Sequence, residues 1–307
     1  MRTIVFAAAA ALLTGTAIAQ SENNNRDTIV VTGQRVEEIA RAFVGAASTA
    51  SARRDQLPRW NGKVCAAAAG LSAPQAQFLI DRISQRAFAV GLRPGASGCR
   101  ANILVVFTPD PNRFAQAILD HERHLLGDVR EGLENTATRG PEALDGFVNS
   151  TRPVRWWHVS IRTTADGQRV PEMPPGCKVG DPMCPLPTVS VRGSHINSST
   201  REDFRNVLII VDARQVSDLT VGAVSDYIAM ASLAQLNPTA DMSGYDSILN
   251  LFAPDVRHTD QMTAWDVAYL QGLYHALRNP FHARFQERQI AHRMARELGE
   301  SGGSTTN

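Results

Sequence analysis

Apolar positions along this chain recur with two rhythms, one close to every third or fourth residue and one in short unbroken runs. "VEEIARAFVGAAS" (36–48) sets Val36, Ile39, Ala40 and Phe43 on one side of a helix. "SAPQAQFLIDRISQRAFAVGL" (72–92) opens with Ser72 as an N-cap and Pro74 in the first turn. It carries Phe78, Leu79, Ile83 and Phe88 as its predicted buried stripe and closes on Gly91. Between and after these helices come strands: a short one at "RWNGKVC" (59–65), then "ANILVVFTPD" (101–110), whose continuous apolar run predicts burial on both faces. A further helix starts near Asn112 and carries Phe114, Ala117, Ile118 and Leu125. Residues 57–126 therefore read strand, helix, strand, helix, which predicts an α/β layer.

The second half keeps strands and helices more separate. Weak periodicity over 127–150 predicts a segment covering one face. "VRWWHVSIR" (154–162), "TVSVRGS" (188–194) and "RNVLIIVDA" (205–213) read as strands, the last fully buried. "PEMPPGCKVGDPMCPLP" (171–187) cannot continue a sheet, because proline lacks the amide donor, and it reads as a loop or lid. The remainder is helical: 220–236, 263–277 and a basic segment 283–298, before a glycine/serine tail (299–307) expected to be disordered. The expected architecture is α+β, a mixed sheet covered by helices with a helical C-terminal region, forming one domain over 36–298.

The N-terminus changes the picture. Arg2, the apolar run from Ile4 to Leu13 and the small residues ending Ala17-Ile18-Ala19 predict a secretory signal (1–19), with the mature chain starting at Gln20. That run is too short to span a bilayer, and no later stretch reaches the roughly 18 apolar residues a span needs. Residues 20–35 are expected to form an extended polar leader. With 31 basic and 30 acidic residues the chain has no charge excess to suggest nucleic acid or anionic lipid as a partner. The four cysteines suit an oxidising compartment. We read them as two disulfides, Cys65–Cys99 and Cys177–Cys184, although four cysteines allow three pairings. A zinc site would favour closer spacing and neighbouring histidines.

Three resemblances rest on particular residues. "DTIVVTGQR" (27–35) resembles the TonB box of outer-membrane receptors, which implies docking by strand addition and a role as an accessory to TonB-linked uptake. The same β-branched residues suit a strand of the protein's own sheet, or an unpaired leader, and helices dominate where a barrel would need alternating strands. "MTAWDVAYLQGLY" (262–274) resembles the helix that follows the metal site in metzincin-type zincin metallopeptidases, matching at Met262, Thr263, Asp266, Leu270, Leu273 and Tyr274. The resemblance implies a zincin-like part over about 206–275, with "SDYIAMASLAQL" where the zinc helix would lie. H-E-x-x-H works because histidines at i and i+4 share one helical face. Between Val221 and Leu236 there is neither histidine nor glutamate, so a zincin-like fold here would have an empty site. Finally, the run from "VVTGQR" through "GCRANILVVFTPD" and "VRWWHVS" to "SILNLF" resembles an uncharacterised family of exported proteins from Gram-negative bacteria.

Candidate chemistry is sparse. Asp110 and Asp212 each end a buried strand, where ligands of open α/β sheets bind, but each also suits a cap or turn. His158 and His195 complete the set of acid/base candidates, with "GSHINSS" (193–199) lacking the geometry of a nucleophile elbow. His121 and His124, among Asp120, Glu122 and Arg123, read as a solvated face. Trp156 and Trp157 point to opposite faces of a strand, so one is expected in the core and one available for stacking. No catalytic, metal or cofactor motif is intact. The chain reads as a non-catalytic exported protein binding an envelope partner or a small ligand, with a secreted hydrolase of unrecognised site as the alternative. Export from a Gram-negative host should yield a chain whose intact mass starts at Gln20; recovery of only the full-length mass would overturn the signal assignment.

Overall fold

The computed structural model describes residues 23–51, 55–127, 135–137, 141–170, 177, 181–184 and 197–303. The signal segment, the strand expected over 188–194 and His195 lie outside the described residues. The protein is α+β. Among the described residues seven α-helices surround a mixed sheet whose order is β1-β2-β5-β4-β3, formed by β1 (Ala66–Ala69), β2 (Ile103–Thr108), β3 (Asn135–Ala137), β4 (Val154–Thr164) and β5 (Thr200–Asp212). β1, β2 and β5 run parallel, while β4 is antiparallel to β5 and β3 is a three-residue edge piece on β4.

Two layers of helices cover this sheet. On one face, Ile103, Val105, Val154, Val207, Ile209 and Val211 join a core with α1 (Asn23–Ala47), α2 (Ala73–Ala89), α5 (Val221–Leu233), α6 (Ala264–His275) and α7 (Ala283–Gly303). On the other, Trp157, Val159, Leu208 and Ile210 pack with α3 (Pro111–His121) and α4 (Pro141–Val148). Every residue of α5 from Ala223 to Leu233 is buried, which explains why its sequence is mostly apolar, without a polar stripe, and why its few polar residues, Ser225, Asp226 and Ser232, are buried too.

Several boundaries differ from the sequence expectation. The leader is not extended: α1 begins at Asn23, so residues 27–35 are helical. A helix anchored by the buried Ala40, Phe43, Val44 and Ala47 has already met the nucleation cost, and propagation through β-branched residues costs only tenths of a kcal/mol each, on the order of 0.5. The first strand is Ala66–Ala69 rather than 59–65; alanine has little strand preference, and pairing with β2 overrides it. In α2 the buried stripe is Leu79, Ile83 and Ala87, while Phe78 and Phe88 are 41% and 73% exposed. A strict i, i+4 row fits the narrow contact with α5 better than the wider one. The tail is helical to Gly303. The basic C-terminal segment has a surface pair, Arg293–Glu297 at 2.9 Å, but also buries Ile290, Ala291 and Met294, so it is a core helix on one side.

Both disulfides form as read. Cys65 sits just before β1 and Cys99 just before β2, so the first bond ties together the starts of two parallel strands, and Cys177–Cys184 closes a tight loop.

The helices are joined through two buried carboxylates. Asp226 on α5 accepts from Arg86 (2.8 and 2.7 Å), Arg82 (3.2 Å) and the Met262 amide (3.0 Å). Asp266, in the first turn of α6, accepts from the Ser247 hydroxyl and from the amides of Ile248 and Thr263. Removing the Asp226 charge strands two partly buried guanidiniums, so Asp226→Asn should cost about 3 kcal/mol. Urea unfolding should show a lowered midpoint for this variant and almost none for the exposed control Asp81→Asn; equal midpoints would contradict the assignment.

Candidate functional site

The candidate residues do not converge. Asp110 caps α3, accepting from the Arg113 amide at 3.3 Å, and lies on the surface. Asp212 is buried and fully engaged by the Arg214 guanidinium and amide and by Gln215. Those donors, the Arg214 side chain first, hold its carboxyl at about 2. A cavity of about 200 Å³ opens beside the ends of β1, β2 and β5, but Leu71, Leu79, Phe107, Val216 and Val224 line it and neither aspartate does. His121 and His124 lie exposed, His124 facing Glu122 at 3.4 Å. Among the described residues no group of three His, Cys, Asp or Glu is arranged to hold a metal ion.

His158 is sealed inside the sheet. Its ring stacks on Phe204 at 4.5 Å, and burial drives its pKa down to about 3 although the Ala231 carbonyl accepts from it. It is therefore neutral near pH 7 and suited to packing rather than to proton transfer.

The two tryptophans divide as strand alternation requires. Trp157 enters the core on the α3/α4 face, its indole N–H donating to Leu126 O at 2.8 Å. Trp156 points to the α5 face, half-buried, with Tyr227 edge-on to it at 6.3 Å. Around Trp156 the molecule forms two adjoining cavities of about 210 Å³ each. The first wraps the rim of β4 between α4 and the end of α5, touching Phe147, Arg155, His158, Gln235 and Thr239. The second runs over Tyr227, Met242, Leu249 and Phe252. Arg152, Trp156, Leu236 and Pro238 line both.

This groove exists because β4 has an open edge. β3 pairs only with Val159–Ile161, so no described strand covers Val154–His158 on that side. α4 stands off on one side and the α5–Leu236 turn on the other, leaving the space between them.

Two of the lining residues carry a buried polar atom without a described partner. Arg155 is 2% exposed and donates to the carbonyls of Phe147, Val148 and Ser150, yet its Nε meets no described acceptor. Gln235 is 4% exposed; its amide nitrogen donates to Thr49 and Ala50 carbonyls, which fixes the flip, and its Oε1 accepts from nothing described. An unmade hydrogen bond on a buried group costs about 1–3 kcal/mol, and both atoms are sealed within the protein rather than exposed on the groove surface. Sequence reading singled out Trp156 but missed Arg155, Arg152 and Gln235. The signal was present: an arginine at the start of a strand beside two tryptophans, and a glutamine just beyond a mostly apolar helix, are polar residues that burial must satisfy.

The molecule is thus an α+β protein with a helix-covered mixed sheet and a Trp-lined groove at the rim of its one long antiparallel strand. No family model, no curated protein and no solved structure matches the chain.

The sealed His158 carries a pH signature. Its folded pKa is depressed below the ordinary 6.5, so the unfolded chain binds the extra proton between the two values. This contribution is full above about 6.5 and is lost as pH falls towards 3, by up to about 1.4 kcal/mol per pH unit. Relative to His158→Gln, wild type should lose stability more steeply between pH 6.5 and 4 in urea titrations; parallel curves would show that the imidazole is not sealed.

Proposed function

We propose that this is an exported, non-catalytic binding protein of the cell envelope, located in the periplasm or outside the cell, which holds a small organic ligand in the groove around Trp156. The observation that carries the reading is the half-buried indole of Trp156, which lines two adjoining cavities of about 210 Å³ each, the second walled by Tyr227, Met242, Leu249 and Phe252. Binding sites are concave and mostly apolar in this way. Export is supported by the N-terminal signal pattern, by two disulfides and by the fact that no described helix is long and apolar enough to cross a membrane.

The non-catalytic part of the reading is supported by what the acid/base candidates do instead. Asp110 caps a helix, Asp212 is saturated by Arg214 and Gln215, and His158 is neutral and packed on Phe204. A degenerate zincin-like ancestry fits the same picture. Thr263 and Asp266 open α6 with a capping box, and the Tyr274 hydroxyl donates to Leu233 O at 2.7 Å, joining that helix to the end of α5. On the helix where that family carries its metal ligands, this chain has Asp226 tied to two arginines.

Native mass spectrometry of protein released gently from the periplasm tests the proposal. Wild type should carry one additional small-molecule mass that is lost on unfolding, and Trp156→Ala, folded by circular dichroism, should lack it. A ligand-free wild type whose melting temperature is unmoved by concentrated periplasmic extract would refute the proposal.

A further inference from the structure

The aromatic side chains of the groove differ from others in the molecule in what their polar ends do. Buried indole N–H and phenol O–H groups normally find a partner. The fully buried Trp60 and Trp157 donate to the carbonyls of Ser232 and Leu126 at 2.9 and 2.8 Å. Tyr269 shares a hydrogen bond with the Ser48 hydroxyl at 2.9 Å, and Tyr274 donates to Leu233 O at 2.7 Å. Trp156 Nε1 and Tyr227 Oη, by contrast, make no hydrogen bond to any described residue, although Tyr227 is only 8% exposed. Burial, opposed by the charge of Arg152, is all that acts on the Tyr227 hydroxyl; it pushes the pKa up to about 12, so the group keeps its proton. Both side chains line the second cavity. Neither atom is sealed as Arg155 Nε and Gln235 Oε1 are, so each keeps surface that a guest can reach.

A third donor joins them. The Asn237 side-chain oxygen accepts from the Thr239 amide and hydroxyl, which orients the carboxamide and turns its NH2 into the open donor of that side chain. Charge is absent from the offer. No aspartate or glutamate occurs among the described residues lining either cavity, and Arg152, the cation common to both, already has an interaction of its own. A carboxylate or an ammonium would therefore lose its hydration without gaining a free counter-charge. The rest of the second cavity is apolar and aromatic. Met242 and Leu249 line it, Phe252 meets Tyr227 edge-to-face at 4.9 Å, and Trp156 lies edge-on to Tyr227 at 6.3 Å. An apolar cavity of about 150 Å³ takes up benzene, so each of these cavities, at about 210 Å³, has room for one ring with a short substituent.

Resting on the binding reading above, we infer that the groove takes an uncharged aromatic carbonyl compound, such as an aryl ketone or ester. Its ring packs among Trp156, Tyr227 and Phe252, its carbonyl oxygen accepts from the Tyr227 hydroxyl, and further acceptor atoms are served by Trp156 and Asn237.

Acetophenone, ethylbenzene and benzoate share one ring and nearly one size, and present a neutral acceptor, no acceptor and an anion. Titrations of the mature, oxidised protein are followed by its indole N–H resonances, that of Trp156 being identified with Trp156→Phe. Acetophenone should move this resonance and bind about tenfold more tightly than ethylbenzene, the size of one or two gained hydrogen bonds. Benzoate should bind most weakly. Tyr227→Phe keeps the ring and loses only the hydroxyl. It should unfold in urea at the wild-type midpoint or above, and should weaken acetophenone several-fold while ethylbenzene holds its affinity. Leu249→Trp, which fills the slot, should abolish binding of all three. Equal affinity for acetophenone and ethylbenzene, tighter binding of benzoate, or wild-type binding of acetophenone by Tyr227→Phe would overturn the inference. A lowered midpoint for Tyr227→Phe would overturn it too, by showing that the hydroxyl already has a partner. If no probe binds while wild type still retains a periplasmic ligand that Trp156→Ala loses, the ligand class is wrong and the groove stands as a binding site. If nothing is retained either, both readings fail.

Discussion

Asp226 is the contact on which the rest of the architecture depends. It is a fully buried carboxylate on the most buried helix, and it takes donors from two other pieces of chain: two arginines of α2 and the amide before α6. Hydrophobic burial alone is non-directional and would let α2 slide along α5. The bidentate geometry of Arg86 fixes both the register and the roll of the two helices. Desolvating a carboxylate so completely is expensive, and it is tolerated only because four donors reach it. Once α5 is set, Tyr227, Leu236 and Gln235 take their positions beside β4, so the groove inherits its shape from an ion cluster on another side of the helix.

The antiparallel direction of β4 matters as much. Parallel β1, β2 and β5 are covered on both faces, and their side chains are consumed by the core. β4 lies at the other side of the sheet, and its register sends Val154, Trp156 and His158 towards α5 and Arg155, Trp157 and Val159 towards α4. Because β3 reaches only its far end, the near end is the place where both faces and the rim meet. A residue on each face can therefore look into one space, which is how Arg155 and Trp156, adjacent in sequence, line the same cavity.

Much of the fold was legible because burial leaves a periodic trace. β2 and the second half of β5 were plain as unbroken apolar runs, α5 as a mostly apolar helix, and Ser72 as N-cap marked the start of α2 correctly. The misses have physical causes. Four alanines at 66–69 carry no strand preference, and only the neighbouring β2 makes them one. Phe78 and Phe88 were assigned to the core on hydrophobicity, which cannot tell a buried ring from one lying over Arg82, as Phe78 does at 5.3 Å. The strand-like residues at 27–35 were outweighed by helix propagation from Phe43. Of the groove, only Trp156 was readable in advance, since the partners of Arg155 and Gln235 come from α4 and from residues 49–50, which no local pattern connects.

The sheet order has a consequence for how the chain assembles. β1, α2 and β2 are consecutive and clamped by Cys65–Cys99, so this unit can close and oxidise locally. The strand that completes it arrives late: Ile103 pairs with Val207, about a hundred residues further on. Until then the apolar edge of β2 stands open, and an open, apolar, flat edge is a template for any other extended chain. The disulfide therefore has a cost as well as a benefit, because it stabilises an early half-sheet that displays its unpaired edge. A protein built this way is most exposed to wrong partners before β5 arrives, so its folding depends on that late pairing as well as on the stability of the finished molecule.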